Sequence, residues 1–213
     1  MFCSLAQFCS QLQICSPVYT LGMTKMGLRE RSKAKRRAAI IGAAYELFAA
    51  RGYDATTIAD IAEAADVSPR TVAMYFPAKQ DIAMARVTDA IARLTAAMDG
   101  RQEGEAVGDV IGRWLLARAD PDDHQQRLLA RRMFAANPEL AALRAARLAQ
   151  VLREGADIIA ADSGSEAGAI GPRIAAAAAS AVINEILDTE PGADREAAVA
   201  AAVRFIDAGI AAL

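Results

Sequence analysis

The sequence predicts an all-α protein. Three observations carry that prediction. Alanine is frequent throughout, and it has the best helix propensity because it has no side-chain entropy to lose. Aromatic residues make up only 5% of the 213 residues, and extended β-branched runs are absent. Apolar residues recur at three- and four-residue intervals, the period of a helix buried on one face. Hydrophobic residues at 54% and charged residues at 23%, with 7 prolines, exclude a disordered or collagen-like chain. No uncharged apolar run approaches the ~18–20 residues of a membrane span.

The first helix is expected over about 33–51, with Ile40, Ala44, Leu47 and Phe48 as its buried stripe and Gly52 at its left-handed end. Thr57 and Asp60 resemble a capping box, with Asp in place of the usual Glu or Gln, and open a short helix that ends near Ala64. Ala65-Asp66-Val67 forms a turn. Ser68 is a good N-cap and Pro69 suits the first helical position of a second short helix, which runs to about Tyr75. Pro77 closes it, and Ala78-Lys79 opens a long helix to about Met98. Further helices are expected over about 105–119, 121–136, 138–161, 172–188 and 194–212, making about nine in all.

Charge is uneven along the chain. Residues 25–53 carry eight Lys/Arg against two acids, and residues 82–213 carry 14 Arg against 19 acids. A basic N-terminal end on an acidic body suits an anionic partner met by one end; the plainer alternative is a solvated helix face. Cys3, Cys9 and Cys15 all precede Met23, and a spacing of six turns each by about 240° from the last on a helix. With His124 the chain's one histidine, neither a metal site nor a disulfide framework is expected, and no cofactor is called for. Residues 1–22 carry no charge and no clear secretory signal, so 1–28 is expected to be a disordered extension or sequence ahead of a start at Met23 or Met26. A cytoplasmic protein without membrane contact is the expectation.

Two short capped helices joined by a three-residue turn and packed on a longer helix make a helix-turn-helix. The second helix must leave one face free to enter a DNA major groove about 12 Å wide. Ser68, Arg70, Thr71 and Met74 fall on or near that face. Ile61, Ala62, Val67, Val72 and Phe76 hold the unit together.

The stretch Ala43–Met84, with Leu47-Phe48, Gly52-Tyr53, Thr57-Ile58, Ile61-Ala62, Val67-Ser68, Thr71, Tyr75-Phe76 and Lys79, resembles the DNA-binding domain of the tetracycline-repressor (TetR) family. The resemblance implies a three-helix DNA-binding domain over 29–78 and a helical effector-binding and dimerisation domain over 79–213. It also implies that Thr57, Ser68, Pro69, Arg70, Thr71, Met74, Tyr75 and Lys79 form the DNA contact. Thr57, Tyr75 and Lys79 would touch phosphates. Arg70 is the candidate for reading a guanine, because its fork pairs with O6 and N7. The basic arm Arg29–Arg37, Arg36 included, would lie along a phosphate strand or in the minor groove. Two positions depart from the pattern: Asp66 stands where the family usually has Gly, and Ala73 where it often has an aromatic.

In the second domain, Trp114 shares a stripe with Val107 and Ile111, and is either plain core or a pocket wall. Met98, Met133 and Phe134 stand between the same two alternatives, and Ile183 is expected at the effector pocket. Arg118, Arg131 and Arg132 suit either solvent or an acidic effector, and His124, among Asp122, Asp123 and Gln125, is expected to be exposed. The Ala-rich helix around 174–181 and the Val199, Val203, Ile206, Ile210 strip suit either intramolecular packing or the two-fold helix pairing of the resembled family. Residues 132–161 are also similar to a subgroup of such regulators that answers to long-chain acyl-CoA thioesters.

The functional expectation is a homodimeric repressor on a pseudo-palindromic double-stranded operator, released by a small apolar or amphipathic effector that is not identified. A DNA-binding regulator without such an effector is the alternative. An enzyme or a helical interaction module is set aside, because catalysis needs a nucleophile with a base, paired buried carboxylates or metal ligands, and the sequence presents none of these groupings.

Overall fold

The computed structural model describes residues 27–118, 121–189, 192 and 194–213. Among these residues there are nine helices and no strand. They are α1 (Leu28–Arg51), α2 (Ile58–Ala64), α3 (Pro69–Tyr75), α4 (Lys79–Asp99), α5 (Val107–Leu116), α6 (Pro121–Ala136), α7 (Pro138–Ser163), α8 (Ile170–Asp188) and α9 (Arg195–Ala211). The three cysteines and the uncharged segment 1–22 lie outside the described residues.

The helices fall near their expected places, with differences at the ends. α1 starts at Leu28 rather than near residue 33, so the basic arm is helical from its first described turn. Residues 27–37 form a unit of their own, in which Arg29, Arg31, Lys33, Lys35 and Arg36 are exposed and Arg37 is half-buried. α8 starts at Ile170, two residues early, because Pro172 fits a first turn whose amide needs no partner.

The remaining residues build two main cores. The first gathers Ile40, Ala44, Tyr45 and Phe48 of α1, Ile61 and Ala62 of α2, Val72 of α3, Phe76 and the start of α4. The Tyr45 hydroxyl, buried among them, donates to the Ala83 carbonyl at 2.7 Å and ties α1 to α4. Met133 and Phe134 of α6 and Leu140 of α7 close this core. The helix-turn-helix core therefore uses side chains from well beyond residue 78.

The second core joins α5, α8 and α9 through Val107, Ile111, Trp114, Leu115, Ala179, Ile186, Val199 and Ile206. Glycine lets α5 and α9 approach closely. A Cβ on Gly112 would lie 2.6 Å from Val203 Cγ2, and one on Gly108 would lie 2.4 Å from Asp207 Oδ1. The Gly108 amide instead donates to Asp207 Oδ1 at 3.0 Å. Among the described residues α8 is the one helix long and apolar enough, by length and composition, to cross a membrane. It buries Ala176, Ala179 and Ile186.

Candidate nucleic-acid interface and adjoining cavity

Local chemistry fixes the two short helices. The Thr57 side chain accepts from the Asp60 amide at 3.2 Å, and Asp60 Oδ2 accepts from the Thr57 amide at 2.8 Å. These reciprocal bonds satisfy two amides that a helix start leaves open. The Thr57 amide first, and then the Thr57 hydroxyl, which also donates to Asp60 Oδ2 at 2.8 Å, hold the Asp60 carboxyl below its usual range. Ser68 Oγ accepts from the Thr71 amide at 3.0 Å, and Pro69 takes the first position of α3.

The turn between them rests on Asp66. Its φ is +52°, and among the described residues it is the one non-glycine residue with positive φ. That conformation lets the Val67 amide reach back to the Ala62 carbonyl at 2.9 Å, and Asp66's own amide to Glu63 at 3.1 Å. Asp adopts it at lower cost than most residues, because a short polar side chain is able to bond to nearby backbone.

One face of this unit is buried and the other is open. Val72 is fully buried and Val67 packs against the same core. Thr57, Ser68, Pro69, Arg70, Ala73 and Met74 are exposed, and Thr71 and Tyr75 are half-buried. Met74 is 77% exposed, unusual for so apolar a side chain. The open face thus offers a guanidinium, small hydroxyls and an apolar tip within one turn or two of each other. A groove edge of base acceptors and thymine methyls is the complement of that set. Arg36 lies in the separate N-terminal unit.

Lys79, expected at a phosphate, has other partners in this structure. Its Nζ donates to the Tyr53 carbonyl at 2.7 Å and to the Thr56 carbonyl at 2.9 Å, and lies 4.2 Å from the centre of the Tyr53 ring. Thr56 is fully buried, its hydroxyl donating to the Gly52 carbonyl at 2.8 Å. Lys79 therefore latches the loop that carries Thr57. Sequence reasoning missed this role, because nothing in the local pattern says where a four-carbon stem will reach.

A cavity of about 890 Å³ opens among α4 to α8. Met98, Trp114, Arg118, Phe134 and Ile183 line it. Met133 does not: it is 1% exposed, and it packs into the helix-turn-helix core instead. Successive residues on a helix point about 100° apart, so Met133 and Phe134 diverge, and of the two it is Phe134 that serves both the core and the wall. Arg118 is 8% exposed, a buried cation rather than a solvated one, with its guanidinium carbon 5.1 Å from the centre of the Trp114 ring. Arg131 also lines the wall and pairs with Asp188 at 2.6 Å, while Arg132 is exposed and outside it.

His124 departs from its expected exposure. It is 8% exposed, with no hydrogen-bond partner for its buried Nδ1. Its polar sequence neighbours mask a position that the fold turns inward. Arg127, Ala130, Arg131 and Phe134 all line the cavity from α6 at three- and four-residue spacing. That stripe was readable in the sequence as a helix face mixing cations with apolar groups.

Comparison with known proteins bears on the same segment. Residues 40–85 match the family of bacterial regulatory proteins, tetR family. Over 79 residues the chain is 39% identical to the HTH-type transcriptional regulator TcmR of Streptomyces glaucescens, covering 37% of this chain and 35% of that protein. The matched stretch thus spans about a third of that relative's length. Among solved structures, GusR of Salmonella enterica aligns with a TM-score of 0.60 at 18% identity, over 84% of this chain and 95% of that one. NalD of Pseudomonas aeruginosa, described as the secondary repressor of the MexAB-OprM multidrug efflux pump, aligns at 0.54 and 19% identity over 82% and 96%. A regulator from Rhodococcus sp. aligns at 0.54 and 23% identity over 83% and 99%. These structural likenesses carry the fold.

Proposed function

The chain belongs to the TetR family through its DNA-binding domain, and from that footing we propose that it works as a homodimeric transcriptional repressor. In this reading it sits on a pseudo-palindromic operator, in the cytoplasm, and a small apolar or amphipathic effector in the cavity releases it. The observation that carries the reading is the capped α2–turn–α3 unit, with Ser68, Arg70 and Met74 on its open face. Arg70 reads a guanine, Met74 meets an apolar base edge, and Thr57, Thr71 and Tyr75 fix the register on phosphates.

Dimerisation has its own support. Ile170, Ile174 and Phe205 are 65%, 61% and 59% exposed, and they lie on α8 and α9. Apolar side chains that are bare on one chain are the material of an interface between two copies. A two-fold axis there sets two copies of α3 at successive major grooves, about 34 Å apart.

The cavity favours an effector-responsive regulator over one without an effector. The link between the two functions is α6. Its Arg127, Ala130, Arg131 and Phe134 line the cavity, while Leu129, Ala130, Met133 and Phe134 pack on the helix-turn-helix core. An effector that favours one position of α6 over another biases the DNA-binding unit by that difference in affinity.

The test is fluorescence anisotropy of the purified protein on DNA from upstream of its own gene, with scrambled DNA as control, at two salt concentrations. Tight, salt-sensitive binding that prefers the upstream DNA is the expected result. Absence of binding at low salt overturns the DNA-binding reading.

A further inference from the structure

We infer that the cavity's ligand is an uncharged, largely apolar molecule bearing a carbonyl oxygen, and that the Trp114 indole N–H receives that oxygen. The inference rests on the effector reading of the cavity and names the chemistry of what enters.

The observation that points to an acceptor is a neutral donor with nothing to bond. Trp114 stands on the cavity wall from α5, at 8% exposure. Its Nε1–H is shut off from solvent and has no acceptor among the described residues. Buried donors are almost always paired, and an indole N–H can only donate. A tryptophan inside a protein therefore calls for an oxygen at that edge of its ring. A ligand that brings one supplies the partner that the wall withholds.

The charges of the wall are already engaged. Arg131 pairs with Asp188, and the Arg127 Nε–H donates to the Leu187 carbonyl at 3.0 Å. Arg144 holds its guanidinium carbon 5.3 Å from the centre of the Phe134 ring. Arg86 and Arg118 have partners of their own. Asp99, Glu154 and Asp157 belong to exposed residues, where water solvates them. A charged ligand would have to break one of these pairings or give up its own water against an apolar wall. A neutral oxygen asks only for the donor that is unpaired.

The rest of the wall sets the other half of the ligand. Val87, Leu94, Met98, Ile111, Leu148 and Ile183 offer no hydrogen bonds. Such a surface suits an aromatic or aliphatic body and repels a sugar or a peptide. A small ketone without that body forfeits the apolar contact, and the body without the oxygen leaves Trp114 unpaired.

Three compounds built on one ring system test this on the full chain: 2-acetylnaphthalene, 2-ethylnaphthalene and 2-naphthoate. The ketone and the hydrocarbon differ by an oxygen in place of two hydrogens, and the naphthoate carries a charge. Affinities are read by displacement of the neutral dye N-phenyl-1-naphthylamine. Trp114 is the chain's one tryptophan, so its indole N–H gives a single peak in a proton–nitrogen correlation spectrum. The ketone should carry that proton downfield of where the hydrocarbon leaves it. Trp114→Phe keeps a ring in place and removes the N–H. It should weaken the ketone about threefold to tenfold, the worth of one neutral hydrogen bond, and leave the hydrocarbon within about twofold. The naphthoate should bind no tighter than the ketone. An indole proton that ketone and hydrocarbon move alike overturns the inference, and so does equal weakening of the two by Trp114→Phe. Tighter binding of the naphthoate overturns it in favour of an acid. The cavity reading stands in each of these cases. The spectrum of the parent decides the matter if Trp114→Phe does not fold. Failure of the dye and of all three compounds to bind overturns the cavity reading as well.

Discussion

The Lys79 ammonium lies 4.2 Å from the centre of the Tyr53 ring and donates at 2.7 Å to the carbonyl of that same residue. With the Thr56 carbonyl at 2.9 Å, it spans the loop that leads into α2. A lysine at the start of a helix beside a DNA-binding unit invites a phosphate assignment. The geometry gives it a latch. Thr57 then keeps its register because the residue before it is held from beneath.

Lys79→Met should therefore act on stability before it acts on charge. The loss of hydrogen bonds from a charged donor predicts about 1–3 kcal/mol of destabilisation in urea melts. The salt dependence of DNA binding should keep its slope, because the Lys79 ammonium is already engaged by the Tyr53 and Thr56 carbonyls. A slope lowered by about one unit would instead make Lys79 a phosphate contact.

Arg70→Ala is expected to behave in the opposite way. Arg70 is exposed, so the fold should melt as the parent does. Operator affinity should fall by about 1–3 kcal/mol, with relaxed selection at one base pair in a randomised-site experiment. Parent-like affinity would remove Arg70 from the reading face.

Asp66 separates backbone strain from side-chain chemistry. At a φ of +52°, glycine carries no Cβ penalty. Asp66→Gly should be neutral or stabilising by up to about 1 kcal/mol, the strain relieved being offset by greater freedom in the unfolded chain. Asp66→Val should be destabilising by about 1–2 kcal/mol, because a β-branched residue tolerates that region poorly. Thermal melts of the two variants check the order.

Acid should loosen the molecule from the carboxylate side. Asp60, Glu105 and Asp162 each titrate below their usual values in the folded chain. The causes are the Thr57 donors for Asp60, Arg113 and the Gln102 amide for Glu105, and Arg101 for Asp162. Arg101 Nη2 reaches Asp162 Oδ1 at 2.7 Å. Because the folded values are depressed, the unfolded chain takes up protons first as pH falls. Stability from these groups is thus complete above the unfolded carboxylate range of about 4, and is lost as pH drops through the folded values. Urea midpoints from pH 6 to pH 3 should fall, and Asp162→Asn should flatten its share of that slope.

The helix-turn-helix was legible because its determinants are local. Thr57, Ser68 and Pro69 mark helix starts by chemistry that spans three residues, and the observed hydrogen bonds are those the spacing implies. Other features depend on a partner distant in sequence. Gly108 and Gly112 look like helix-weakening residues until Asp207 and Val203 are seen against them. His124 sits in a polar neighbourhood that gave no sign of burial. Met133 and Phe134 share one sequence environment and go to different places, a choice made by what packs on each side of α6.

That double use of α6 has a further consequence for the operator itself. If molecules in the cavity alter the hold on DNA, thermodynamic balance requires DNA to alter the hold on those molecules by the same factor. Operator DNA is then an allosteric ligand of the cavity in its own right. A chain parked on its site and a chain free in solution would sense different concentrations of the same compound, with Phe134 standing where the two equilibria meet.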